Sequence, residues 1–72
     1  MASVIDYEAV ARNVRVERAK MGWSQKDLAR MSGVCETTIS FIESAKHSMI
    51  RMSTLAKLAE ALQVEVEELL KN

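Results

Sequence analysis

The 72-residue chain has no proline, two glycines, one cysteine, and one each of tryptophan, tyrosine and phenylalanine. With no proline, no interior position is barred from a helix, and two glycines leave few places for a tight turn. A lone cysteine excludes a disulfide within the chain and any metal motif that needs a cysteine pair. The single histidine, His47, has no second ligand close by in sequence, so no metal and no cofactor is expected. No apolar run approaches the about 20 residues of a membrane-spanning helix. The opening MASVIDYEAV lacks a basic leader and an apolar export core, so a cytoplasmic protein is the expectation. Catalysis finds no nucleophile and base at a recognisable spacing, and no small-molecule ligand is evident.

Net charge is also absent, with ten basic and ten acidic side chains. Proteins that bind nucleic acid are usually basic, so this balance counts against such a partner until its distribution is considered. Between Val10 and Arg51 eight basic residues face four acidic ones, a local net of +4. The compensating acid lies at the ends, in Asp6 and Glu8 and then in Glu60, Glu65, Glu67 and Glu68. A molecule polarised in this way can turn a positive face to phosphates and an acidic one to solvent.

What the chain has in quantity is apolar residues, 49% of the total, at helical spacing. Five helices are predicted in one domain spanning residues 1–72, an all-α fold with no linker or repeat. The first runs from about Val4 to Met21, with Ser3 as its cap and Gly22 as its stop. The second and third cover about Gln25 to Met31 and Glu36 to Ser44. A fourth opens at Ser53 or Thr54 and places Leu55, Leu58, Ala59 and Leu62 on one face. A short fifth, about Glu65 to Leu70, has Val66, Leu69 and Leu70 as its apolar side. A chain this small sits near the lower limit for a self-sufficient core, and oligomerisation would add to it.

The most specific local pattern is WSQKDLARMSGVCETTISFIESAK, two short helices joined by a tight turn. Ser24 caps the first and Asp27 completes a capping box, while Trp23 and Leu28 occupy the two positions of a hydrophobic staple. Gly33 can take the positive φ that stops one helix and swings the chain into the next. Ala29 is small where the two helices cross, and Ile39 and Ile42 can pack the second helix inward. The outer face of that second helix is then Glu36, Thr37, Ser40, Phe41 and Ser44.

The run SQ-x-x-LA-x-x-x-GV-x-x-x-x-IS-x-IE, from Ser24 to Glu43, resembles the lambda-repressor-like helix-turn-helix family of the Cro and phage-repressor type. The likeness reaches outward to Arg18 and Gly22 before it and to TLAKLAEALQVEVEELL after it, so it covers essentially the whole chain. It implies a compact five-helix DNA-binding fold with the helix-turn-helix at helices two and three. It also implies that Glu36, Thr37, Ser40 and Phe41 read base edges, and that Gln25, Lys26, Ser44 and Lys46 hold backbone phosphates. Arg18 and Glu43 match a pair that orients the reading helix in such proteins.

Three positions depart from that pattern. Cys35 stands where a serine or threonine often caps the reading helix, Ala45 where glycine or asparagine is common, and Ile50 where proline is often found. Cys35 has two readings, a small residue tolerated at a cap or a thiol sensor with its pKa lowered by the helix N-terminus. Glu36 would be repelled by phosphate, yet it can accept from cytosine N4, and Phe41 can pack on a thymine methyl.

The expected function is therefore a prokaryotic or phage-type transcriptional regulator that binds double-stranded DNA at a palindromic operator. It would act as a homodimer, with Met49, Ile50, Met52, Val66, Leu69 and Leu70 at the interface. Met49, Ile50 and Met52 serve equally well as loop-to-core anchors. The rival from another class is a protein-interaction module, adaptor or antitoxin-like, that keeps the fold without reading DNA; the neutral net charge and Glu36 favour it.

Overall fold

The computed structural model describes residues 5–46 and 50–72, and among these it contains helices and connections but no strand. In chain order the helices are α1 (Tyr7–Met21), α2 (Gln25–Ser32), α3 (Glu36–Glu43), α4 (Met52–Leu62) and α5 (Val66–Leu70). None is long and apolar enough to cross a membrane. α1 packs on α3 and α5, α2 on α3 and α4, and α4 on α1 and α5, so that each helix has at least two neighbours.

The core consists of the residues that recur at helical spacing. Val10 and Val14 of α1, Leu28 of α2, Ile39 and Ile42 of α3, Leu55, Leu58, Ala59 and Leu62 of α4, and Leu69 of α5 meet in one cluster. Each large aliphatic side chain buried there contributes about 1.5–3 kcal/mol relative to exposure. Trp23 packs half-buried against this cluster, where it flanks α2 as the staple requires, while Ala29 is itself only half-buried.

Three element starts differ from the sequence expectation. α1 begins at Tyr7 because Asp6 is itself the cap, its carboxylate accepting from the Glu8 and Ala9 amides at 3.1 and 3.2 Å. An aspartate at the capping position outcompetes further winding toward the N-terminus; Ser3 and Val4 lie outside the described residues. α4 opens one residue earlier than Ser53, after Arg51 and without a side-chain cap, because Arg51 takes the extended conformation of a cap. α5 opens at Val66, with Glu65 in the capping position.

The expected partner surface needs one correction as well. Leu69 is fully buried, against α1 and within the core, and therefore cannot present itself to a second chain. Val66 and Leu70 also pack against the core and are only partly exposed. α5 lies along α1, and that neighbour takes up the apolar surface that looked surplus from the sequence. Asn13 of α1 fixes the arrangement by donating from Nδ2 to the carbonyls of Leu69 and Lys71 at 3.0 and 2.6 Å. Ile50 is half-buried against the core and Met52 is 53% exposed, whereas Met49 falls outside the described residues.

The scarcity of glycine leaves a mark on the helix ends. Left-handed residues follow α1, α2, α3 and α4, and the two glycines take the first two places, Gly22 at φ +73 and Gly33 at φ +76. Ala45 at φ 59 and Gln63 at φ 62 take the other two. For a residue with a Cβ this conformation costs about 1–2 kcal/mol.

Candidate nucleic-acid interface

The helix-turn-helix is fixed first at the start of α2. Ser24 Oγ accepts from the Asp27 amide at 3.0 Å and the Asp27 carboxylate accepts from the Ser24 amide at 3.0 Å, which closes the capping box. The Ser24 amide, followed by Arg30, holds the Asp27 carboxyl below its ordinary pKa. At the other end of α2 the Gly33 amide donates to the Ala29 carbonyl at 2.9 Å, and Val34 turns into the core before α3 begins.

α3 divides cleanly into two faces. Ile39, Ile42 and Glu43 point inward and are buried; Glu36, Thr37, Ser40 and Phe41 are exposed, as is Ser44 at its cap. Phe41 is 46% exposed. Glu36 lies in the first turn, where the positive end of the helix dipole favours its charge. All four side chains expected to read bases thus share the outer face of one short helix.

Glu43 ties that helix to α1 and α2. Its side chain is 2% exposed and accepts a forked pair of bonds from Arg18, Nε to Oε2 at 2.7 Å and Nη2 to Oε1 at 2.8 Å. Arg18 Nη1 also donates to the Trp23 carbonyl at 2.8 Å, so one guanidinium joins α1, α3 and the connection into α2. Hydrogen bonding to Glu43 raises the Arg18 pKa above its ordinary value, against the opposing effect of desolvation. The expected pair is present, and it is larger than expected. Gln25 Nε2 donates to Glu43 Oε1 at 3.1 Å, which brings the start of α2 into the same network.

This network bears on the residues expected to hold phosphates. Gln25 spends one amide hydrogen on Glu43 and keeps a second donor for another acceptor. Ser44 Oγ donates to the Phe41 carbonyl at 3.0 Å, so its hydroxyl would have to turn to meet a phosphate. Lys26 and Lys46 are exposed, and so are Arg12, Arg15, Lys20, Arg30 and Arg51. Arg30 is paired with Asp27 at 3.1 Å and Lys20 with Glu17 at 3.3 Å.

Cys35 supplies no side-chain cap hydrogen bond to α3, in keeping with a neutral thiol's weakness as an acceptor. The Thr37 amide, and after it that of Thr38, lowers its pKa, since a thiolate accepts better. Among the described residues no group of three histidine, cysteine, aspartate or glutamate side chains could hold a metal ion.

Two contacts had no counterpart in the sequence reading. Arg15 Nη1 donates to the Glu43 carbonyl at the end of α3, and Asn13 holds the end of α5. A poor helix former inside α1 was the only hint of the Asn13 contact. For Arg15, its three-residue spacing from Arg18 puts both on neighbouring faces but names no partner.

A helix-turn-helix family profile (HTH_3) matches residues 14–69. A "Neisseria hypothetical transcription factor" from Neisseria meningitidis serogroup B is 41% identical over 66 residues, covering 90% of this chain and 61% of that protein. The chain thus spans less than two thirds of that relative's length. The solved structure of the hypothetical transcription factor NHTF from Neisseria superposes with a TM-score of 0.85 at 32% identity, covering 99% of this chain and 86% of that one. The biofilm master regulator SinR, solved in complex with DNA, gives a TM-score of 0.82 at 27% identity, covering 86% and 98%. With its helix-turn-helix at α2 and α3, the chain belongs to the Cro-type helix-turn-helix family.

Proposed function

We propose that this chain is a single cytoplasmic DNA-binding domain, residues 1–72, that reads a specific sequence with α3. The observation that carries the reading is the division of α3: Glu36, Thr37, Ser40 and Phe41 outward, and Glu43 locked inward to Arg18 and Gln25. An α-helix presented in this way fits the about 12 Å width of the major groove. Thr37 and Ser40 can donate or accept at base edges, Glu36 can accept from cytosine, and Phe41 can cover a thymine methyl. Gln25, Lys26, Ser44 and Lys46 flank that face and would hold phosphates, which sets position but not sequence. SinR, a structural relative, was solved on DNA.

One α3 with a single acid and one aromatic among its reading residues gives a modest half-site. A homodimer on a palindromic operator supplies the missing affinity, with two copies of α3 about 34 Å apart on one side of the duplex. Ile50, Met52, Val66 and Leu70 remain the interface residues in this reading, and Met52 has the largest exposed surface of the four. The test is enrichment of binding sites from a random duplex pool, followed by mobility shift and sedimentation equilibrium. A palindromic consensus, a 2:1 complex and monomer formation by Met52→Glu are expected. Binding that ignores sequence would instead favour a protein-interaction role, and a 1:1 complex on an asymmetric site would remove the dimer.

A further inference from the structure

The last turn of α3 closes with two crossed backbone bonds, from the Ala45 amide to the Ile42 carbonyl at 3.2 Å and from the Lys46 amide to the Phe41 carbonyl at 3.3 Å. This Schellman closure satisfies two of the carbonyls that a helix end leaves open. It does not reach the Glu43 carbonyl, and Arg15 Nη1 donates there from α1. The closure also requires Ala45 to sit at φ 59, where glycine would be unstrained. α3 has no basic residue in its own last turn, so Arg15 brings a cation to the negative end of its dipole.

We propose that Arg15 is a positioning residue for DNA reading. Arg18 sets the rotation of α3 through the Glu43 side chain, while Arg15 fixes the C-terminal end of its axis through the Glu43 backbone. Both arginines come from α1, so the reading face of Glu36, Thr37, Ser40 and Phe41 is held at two points by one rigid support. The contact also holds in place the turn in which Ala45 is strained. This role rests on α3 being the reading helix.

The experiment compares the full chain with Arg15→Met, Arg15→Lys, Ala45→Gly and Arg15→Met/Ala45→Gly. Amide hydrogen exchange at Ser44, Ala45 and Lys46 is read against Leu58. Binding is read on a duplex enriched by the wild type and on an unrelated duplex, across a range of salt concentrations. Arg15→Met should speed exchange at the three amides relative to Leu58 and lower the preference for the enriched duplex about tenfold, without changing the salt slope. Arg15→Lys and the added Ala45→Gly should each restore most of that preference. A salt slope lower by about 1 with the preference intact would make Arg15 a direct phosphate contact and overturn the proposal. Unchanged exchange would overturn it as well. A wild type that enriches no sequence removes the reading role altogether, and the exchange data then still report whether the clamp exists.

Discussion

Removing Arg18 should be among the costliest single changes in the chain. Arg18→Met keeps the aliphatic stem but takes two charge-assisted hydrogen bonds from a carboxylate whose side chain is 2% exposed. What remains is one neutral donor, Gln25 at 3.1 Å. A buried charge stripped of its partner costs about 3–5 kcal/mol. Because the Arg18 side chain is 20% exposed, water can reach the vacated side of the site, which lowers the expectation to about 2–4 kcal/mol. At about 4–8 °C per kcal/mol for a domain this small, the melting midpoint should fall by about 8–32 °C. Glu43→Leu should cost less, about 1–3 kcal/mol, because a stranded guanidinium can swing outward into solvent. The double variant Arg18→Met/Glu43→Leu leaves no orphan charge and should be more stable than the sum of the two losses implies, by about 1–3 kcal/mol. Urea unfolding followed by circular dichroism and by Trp23 fluorescence measures all four proteins, and Trp23 has the advantage that its carbonyl is bonded to Arg18. If the two single losses simply add in the double variant, Arg18 and Glu43 are not energetically coupled and the orienting role fails.

Four further outcomes follow from the same geometry. Thr37→Ala/Phe41→Ala should weaken binding to an enriched site by about 1–3 kcal/mol per lost base contact while leaving non-specific binding and melting nearly unchanged, which competition mobility shifts would show. Ala45→Gly should stabilise the chain by about 0.5–1 kcal/mol, the relief of left-handed strain less the greater freedom of glycine when unfolded, and a lower melting midpoint would contradict it. Gly33→Ala should cost about 1–2 kcal/mol from backbone strain alone, since an added Cβ meets nothing within 4 Å; a larger loss on urea titration would mean a clash. The Asp27 pKa is lowered in the fold from 3.8, so its contribution is present above that value and disappears as pH falls through the folded pKa. The stability gap between wild type and Asp27→Asn should therefore close in acid, as pH-resolved melts would show.

The sequence by itself determined most of the fold, because the relevant signals are short in range. A capping box spans three residues, a helical apolar face repeats every three or four, and a glycine either suits a left-handed turn or does not. Hence α2, the turn at Gly33, the outward face of α3 and the core face of α4 were all legible from their own residues. Tertiary structure alone decided which apolar residues are spare. Leu69 looks like surface when α5 is read alone, and it becomes core only because α1, more than fifty residues earlier, lies over it and bonds to its carbonyl through Asn13. The same holds for Gln25, drawn onto Glu43 across 18 residues, and for Arg15, drawn onto the Glu43 carbonyl across 28. A backbone carbonyl carries no residue-specific mark, and a long polar side chain can reach many partners. Which partner it takes is settled only when the helices are packed and the unsatisfied groups at their ends must find donors.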